Sequence, residues 1–233
     1  MKFEIQSLIF ERFFGLNIGV VIAHNIDNFG LSEEIMKRIK EMEKDIRSAY
    51  NTETLSQLPL ILNWRKAYSS FGAKPKRHKS SVESLYRMVL KGVGLKHINK
   101  IVDIYNYVSL EYMIPVGGDD MGKVKGDITL RFSLGDEPFI PLNSREVETA
   151  REGEVVYADD EEVLCRRWNW RESDRTKMTE DTKDVVLVVE GLPPVGREEL
   201  EVVIEDLSLL VLEHCGGEIR AEILDKNRCF IEI

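Results

Sequence analysis

Residues 98–111 read INKIVDIYNYVSLE, and the apolar residues in this stretch recur at the spacing of one helical face. They are Ile98, Ile101, Val102, Tyr105 and Val108. Pro115 and the pair Gly117-Gly118 follow, and such residues end a helix and open a turn. The stretch therefore predicts a helix with one apolar face. Other predicted elements lie before and after this helix in the chain.

Downstream of this helix the hydrophobic period changes to two, which indicates β-strands. Ile128, Leu130 and Phe132 alternate with more polar residues. Further short apolar runs lie at residues 139–140, 155–157 and 163–164. Residues 185–189 are continuously apolar, which is typical of a strand buried on both faces. This half of the chain is therefore predicted to be rich in short strands.

The flanking segments add strands and helices. Residues 1–30 read as strands, and the next segment has the apolar stripe of a helix. The stripe consists of Leu31, Ile35, Ile39, Met42 and Ile46. Residues 51–79 are polar and irregular, with Pro59 as a breaker, so a loop is predicted there. Helices from Ser80 and over 197–214 complete the pattern, which predicts an α+β fold with several short strands.

Composition excludes several classes of protein. Of the 233 residues, 43% are hydrophobic and 31% are charged, which is ordinary for a globular chain. No window approaches the roughly 18 consecutive apolar residues of a membrane span. Glu4 lies where a signal peptide would be apolar, and the three cysteines form no close pair, which suits reduced thiols. A cytoplasmic protein is predicted.

The common catalytic and cofactor signatures are absent. The chain has no phosphate-binding GxxxxGK[ST] loop, no GxSxG elbow, no HExxH and no CxxC. Asp119-Asp120 follows a glycine pair, where such carboxylates are more typical of turns than of metal sites. We therefore predict neither a metal nor a cofactor, and the motifs identify no catalytic residue.

Two basic clusters stand out against a net charge of -9, which requires that any polyanion be held by a local patch. The first has six cations and no acid: Arg65, Lys66, Lys74, Lys76, Arg77 and Lys79. With Trp64, Tyr68 and Phe71 among them, it suits either phosphate neutralisation with base stacking or a solvated loop with its aromatics packed inward. The second cluster, residues 166–177, suits a pocket wall or internal salt bridges.

Residues 98–111 also resemble the VVDxxNYVxLE segment of the B3/B4 domain in the β subunit of phenylalanyl-tRNA synthetase. The similarity continues in order through Pro115, Asp120, the strand ending at Arg131, and residues 153–160 and 182–190. By this resemblance the chain is identified as a freestanding B3/B4 protein with a sandwich-like core of mixed sheets flanked by helices. The implied units are an N-terminal part of the same globule (1–59), the B3/B4-like core (60–215) and a C-terminal hairpin completing the sheet (216–233).

The resemblance implies a trans-acting editing hydrolase that deacylates misacylated tRNA. An aminoacyl ester is already activated, so a positioned water, polar groups and the substrate's own ribose hydroxyl suffice without a nucleophilic triad. The implied partner is the acceptor end of aminoacyl-tRNA, and neither DNA nor a membrane is expected. The alternative is a noncatalytic module that keeps the fold and binds tRNA or an amino acid.

The predicted amino-acid pocket combines residues from distant segments: Asn106, Asp120, Arg131, Arg167, Trp170 and Glu190. The predicted tRNA contacts are the six cations of the first basic cluster. A structural alternative remains for Arg131, which could pair with Glu137 or Glu154. The chain also departs from the family pattern at Lys96, where the family has arginine, at Gly117, where it has histidine, and at Trp170-Arg171, near its Gly-Gly pair. The resemblance implies tyrosine as the wrong amino acid that the family's pocket accepts, and these departures disfavour tyrosine for this chain.

Overall fold

Two β-sheets and a layer of helices build the fold, which is seen in a computed structural model that describes all 233 residues. The α-helices are α1 (Ser7–Arg12), α2 (Glu33–Ala49), α3 (Pro59–Ser70), α4 (Ser81–Leu90), α5 (Lys100–Tyr112) and α6 (Arg197–Cys215). Single 3₁₀ turns lie at Leu55–Gln57 and Met121–Lys123. The strands are β1 (Lys2–Ile5), β2 (Asn17–His24), β3 (Val116–Asp120), β4 (Ile128–Phe132), β5 (Pro138–Phe139), β6 (Glu148–Thr149), β7 (Val155–Ala158), β8 (Val163–Arg166), β9 (Arg171–Glu172), β10 (Val185–Gly191), β11 (Glu218–Leu224) and β12 (Phe230–Glu232).

Strand order shows how the chain ends close the sheets. The first sheet has six strands in the order β12-β1-β4-β7-β8-β9, and the second has four in the order β11-β2-β10-β3. Only the β1–β4 pair is parallel. Strands β11 and β12 therefore add one edge to each sheet, and a separate two-stranded sheet, β5-β6, lies beside them.

The second sheet is the central layer, because both of its faces are covered. Val186 and Val188 of β10 face the first sheet and pack in one core with Tyr157 and Leu130. Leu187 and the neighbouring alternate residues of β10 face the other way, into a core shared with helices α5 and α6. The prediction of a strand buried on both faces at 185–189 is therefore confirmed, as is the α+β sandwich-like fold.

Two helices were not predicted. Helix α3 occupies part of the segment 51–79 that was predicted to be a loop, and it starts at Pro59. Proline is well tolerated at the first helical position, because its missing N–H has no partner there in any case, so Pro59 marks the start of a helix rather than a break. Helix α1 interrupts residues 1–30, and its six residues are too few to show a helical period.

The predicted helices are confirmed, and polar side chains at their starts explain where they begin. Ser32 caps α2, Ser80 caps α4 and Asn99 caps α5, each by accepting a hydrogen bond from a backbone N–H of the first turn. None of the helices is both long and apolar enough to cross a membrane.

Strand β3 runs from the end of α5 along the edge of the second sheet and lies unusually close to β10. A Cβ atom added to Gly118 would come within 2.2 Å of the Val186 carbonyl oxygen. Only glycine allows this approach. It places the carboxyl group of Asp119, the next residue of β3, against the gap between the two sheets.

Candidate functional site

Four segments of the chain meet at an open cleft of about 260 Å³, which we call the outer cleft. Its walls come from the first turns of α4, the middle of α5, strand β3 and residues 169–172. The lining residues are Ser81, Ser84, Leu85, Met88, Tyr105, Asn106, Val116, Gly117, Asn169, Trp170, Arg171 and Glu172. The volume is near the lower limit of about 300 Å³ for small-molecule sites, so the outer cleft suits a ligand no larger than an amino acid.

Beneath the outer cleft lies a small cavity of about 20 Å³ between the two sheets, which we call the inner chamber. The two spaces share Ser81, Val116, Gly117, Asn169 and Glu172, so these residues form the neck between them. A cavity of this size holds about one water molecule. The inner chamber is therefore accessible to water-sized groups and closed to an amino-acid side chain.

Glu190 lies in the inner chamber and is almost completely buried. Its Oε1 accepts a hydrogen bond of 2.6 Å from the Tyr157 hydroxyl, and its Oε2 accepts one from the side-chain amide of Asn169. Burial raises the pKa of Glu190 to about 7, although both hydrogen bonds act to lower it. The carboxyl group therefore changes protonation state near neutral pH.

Two more carboxyl groups line the inner chamber, and neither has a basic partner within it. Removal from water raises the pKa of Glu172 well above its usual range, and the neighbouring Asp119 carboxyl adds to the effect. Burial also raises the pKa of Asp119 to about 6, against a hydrogen bond from Thr176. With its pKa at about 6, the Asp119 carboxyl can exchange a proton with substrate or water close to neutral pH.

A strained turn joins this site to the rest of the first sheet. Arg167 and Trp168 have φ values of 48° and 70°, which place two consecutive non-glycine residues in the left-handed region. Such conformations cost about 1–3 kcal/mol each and are often retained at functional sites. The turn is held by the indole of Trp168, which is completely buried and lies 4.9 Å, ring to ring, from Trp64.

A second pocket, of about 230 Å³, lies on the other side of this turn and is lined mainly by charged residues. We call it the basic pocket. Its lining residues are Phe71, Gly72, Ala73, Lys74, Arg77, His78, Arg151, Glu152, Glu154 and Arg167. Arg167 is shared between an ion pair with Glu154, at 3.3 Å, and the ring of Trp170, whose centroid lies 4.4 Å away. Trp170 therefore separates the basic pocket from the outer cleft.

The structure divides the six predicted tRNA contacts into different environments. Lys74 and Arg77 line the basic pocket, whereas Lys66 is exposed on α3. Lys79 donates a hydrogen bond to the Lys76 carbonyl oxygen. Arg65 forms two hydrogen bonds, of 2.8 and 3.0 Å, with the buried carboxylate of Glu83. The aromatic residues Trp64 and Tyr68 are buried in the core. They therefore pack inward and are not available for base stacking.

Replacing Arg65 with alanine should lower the free energy of unfolding by about 2 kcal/mol, because the fully buried Glu83 would then keep only Arg87 as a charged partner. Chemical denaturation measures this loss. The matched control is Lys66→Ala one position later, which removes an exposed cation without an ion pair and should change stability by less than about 0.5 kcal/mol. Equal stability of the two variants would contradict a structural role for Arg65.

The residues of the predicted amino-acid pocket do not all line the same space. Asn106 and Trp170 line the outer cleft, Glu190 lies in the inner chamber and Arg167 lies in the basic pocket. Arg131 pairs with Glu137, the structural alternative noted above. Asp120 accepts hydrogen bonds from the Gly122 backbone and the Thr182 hydroxyl, and it lines neither cleft nor chamber.

Sequence reasoning did not identify Ser81, Asn169 or Glu172 as site residues. Each lies in the neck. Asn169 has the most connections: its Oδ1 accepts a hydrogen bond of 2.8 Å from Tyr68 and one of 3.3 Å from the Ser81 backbone. The only signal for Asn169 in the sequence was its position between the two tryptophans of the second basic cluster.

Comparison with known proteins identifies the family. The family model described as the B3/4 domain matches residues 63–216, more than half of the chain. The chain belongs to the B3/4 domain family. This confirms the resemblance first noted for residues 98–111. The matched region contains the outer cleft, the basic pocket and every residue that lines the inner chamber except Phe3.

Two relatives and one solved structure illustrate what this B3/4 chain is similar to, and each is longer than the chain. It is 28% identical over 160 residues to the phenylalanine–tRNA ligase beta subunit of Fusobacterium nucleatum, covering 59% of the chain and 20% of that protein. The corresponding subunit of Colwellia psychrerythraea is 37% identical over 76 residues, or 33% of the chain and 9% of that protein. The chain thus spans about a fifth or less of these relatives. A crystal structure of an N-terminal fragment of the phenylalanyl-tRNA synthetase beta subunit from Pyrococcus horikoshii is 15% identical, with a TM-score of 0.47, and the match covers 94% of the chain and 50% of the fragment.

Proposed function

We propose that this B3/4 protein acts in trans as an editing hydrolase, cleaving the ester that links a wrong amino acid to its tRNA. The observation that carries the proposal is the outer cleft, which is built by four separate segments and narrows to a water-sized inner chamber. A site for a small acyl group with a water position next to it is what ester hydrolysis requires. The kinship with tRNA ligase subunits supports an aminoacyl ester as the substrate.

In this proposal the amino-acid side chain lies in the outer cleft, against Asn106 and Trp170. It does not reach the carboxyl group of Glu190, because the inner chamber holds no more than about one water. Specificity then depends on the bulk of Trp170 and Arg171, which lie near the position of the family's Gly-Gly pair. We expect small amino acids to be the preferred substrates.

The chemistry needs three contributions from the neck. A water attacks the ester carbonyl, the bond to the ribose oxygen breaks, and that oxygen leaves with a proton. The Ser81 hydroxyl is buried and has no hydrogen-bond partner, and it lies in the first turn of α4, where the helix dipole favours negative charge. It is our candidate donor to the carbonyl oxygen as charge develops there. The Glu172 carboxyl, in its ionised form, is our candidate acceptor for the proton of the water, and it then donates that proton to the leaving ribose oxygen.

The activity is tested by following ester loss from a panel of tRNAs, each charged with a different wrong amino acid. We expect accelerated deacylation of those carrying small side chains. Ser81→Ala should slow the reaction at least tenfold at unchanged melting temperature, whereas Ser48→Ala, on the exposed side of α2, should leave the rate unchanged. Ester loss no faster than in buffer for every tRNA would exclude the hydrolase.

The second candidate function is a noncatalytic module that binds tRNA or an amino acid. Gly117 favours it, because this neck position lacks the histidine of the family pattern, and a Cβ atom there would already approach Glu172 Oε1 to 3.2 Å. Retained tRNA binding without ester loss in the same panel would support this function. For either candidate we propose a cytoplasmic location, where the three free cysteines would stay reduced.

A further inference from the structure

The basic pocket contains charge that the protein itself does not neutralise. Four cations line it, Lys74, Arg77, Arg151 and Arg167, against two carboxylates. Glu154 is shared between Arg166, at 2.7 Å, and Arg167. The other three lining cations form no ion pair within 4 Å of a carboxylate, so the pocket keeps a net positive charge in a chain whose net charge is -9.

A buried nitrogen in the same pocket also lacks a partner. Nδ1 of His78 is inaccessible to solvent and forms no hydrogen bond, although buried polar atoms are almost always paired. Burial, and then the charge of Arg167, lower the pKa of His78, so the ring is neutral at pH 7 and the pocket's charge comes from its lysine and arginines. An anion with several oxygen atoms would pair with the unpaired guanidinium groups that line the pocket.

The position of the basic pocket relative to the outer cleft restricts which anion it would bind. His78 and Arg167 both line the basic pocket, and both contact Trp170, with their groups 4.6 and 4.4 Å from its ring centroid. Trp170 also lines the outer cleft. An anion in the basic pocket is therefore separated from a ligand in the outer cleft by His78 and Arg167 and by the Trp170 ring that both contact. The strained turn at Arg167 and Trp168 holds this arrangement.

We infer that the basic pocket binds the phosphate of the 3′-terminal nucleotide of an RNA whose acyl group occupies the outer cleft. The inference rests on the proposed function and adds which phosphate is bound and by which residues. Arg77 and Arg151 are the principal ligands, because a guanidinium group pairs with two phosphate oxygens at once. Arg151 lies outside both basic clusters of the sequence. Trp170 supports the nucleoside between the two sites.

The test is an equilibrium titration with an uncharged, 5′-labelled RNA minihelix that carries the single-stranded 3′ end of tRNA. A second minihelix lacks only the terminal adenosine and its phosphate. The protein is used as wild type, as the pocket variant Arg77→Gln/Arg151→Gln, and as the control Lys40→Gln/Lys44→Gln, which removes two exposed cations from α2. Both variants change the net charge by the same amount.

We expect the pocket variant to bind the complete minihelix about tenfold more weakly than wild type. The slope of log K against log salt should be smaller by about 0.7 for this variant, which is the value for one phosphate contact with a single strand. The truncated minihelix should bind the pocket variant and wild type alike, and the control variant should match wild type on both RNAs. An equal loss on both RNAs, or no loss on either, would overturn the inference.

A titration with AMP separates an RNA end from a free nucleotide. If AMP binding depends on Arg77 and Arg151 while minihelix binding does not, the pocket holds free nucleotides and the inference is wrong. The titrations use uncharged RNA, so they do not depend on hydrolysis. A chain that deacylates nothing but shows the terminal-nucleotide effect would refute the proposed hydrolase and keep the phosphate site.

Discussion

Replacing Asn169 with alanine should lower the free energy of unfolding by about 3–4 kcal/mol, the largest effect we expect from a single truncation. Three partners depend on this amide: the Tyr68 hydroxyl, the Ser81 backbone N–H and the Glu190 carboxyl. Each buried polar group that loses its partner costs about 1–3 kcal/mol. One water in the inner chamber can replace part of this bonding, which keeps the loss below the sum of three penalties.

Urea denaturation measures the effect, and Asn106→Ala is the matched control. Asn106 is the same residue type on the wall of the same cleft, but it is half-buried and its side chain forms no hydrogen bond with the protein. Its removal should change stability by less than about 0.5 kcal/mol. Similar losses for the two variants would show that Asn169 is not the residue that joins α3, α4 and the inner chamber.

The second large effect concerns pH. Because burial raises the pKa of Glu190 to about 7 from an unfolded value near 4.5, the folded state favours the neutral carboxyl. The stability that this preference contributes is complete below pH 4.5 and is lost as the pH rises through 7. The difference corresponds to about 2.5 kcal/mol of stability lost between pH 5 and pH 8.5. The pKa of Asp119, raised to about 6, gives a loss of the same sign at lower pH.

Glu190→Gln should therefore be more stable than wild type at pH 8.5, by about 3 kcal/mol, and close to wild type at pH 5. A glutamine can keep both hydrogen bonds, since its oxygen accepts from Asn169 and its amide can donate to a rotated Tyr157 hydroxyl. Unfolding free energies of both proteins at the two pH values measure the difference. Glu53→Gln, at an exposed position, should have the pH dependence of wild type. Parallel curves for Glu190→Gln and wild type would mean that Glu190 is ionised normally in the fold.

Periodicity located the long helices and the central strand, but it did not locate α1 or α3. The reason lies in the tertiary structure. Helix α3 has polar and cationic residues on its outer face, and its buried face is recognisable only when Trp64 and Tyr68 are known to pack against the turn at Trp168. With α3 undetected, the basic residues from Arg65 to Lys79 read as one continuous patch, whereas the structure divides them between a helix and a pocket.

The sequence by itself determined the fold class, the family and two residues of the outer cleft, Asn106 and Trp170. Such information is local, because a helical period or a motif is complete within a few tens of residues. Only the tertiary structure decided that Arg65 is paired, that Arg151 joins Lys74 and Arg77 in one pocket, and that the space beside Glu190 is no larger than about one water. Ion pairing and cavity size depend on distances between segments far apart in the chain, and no local pattern of residues contains those distances.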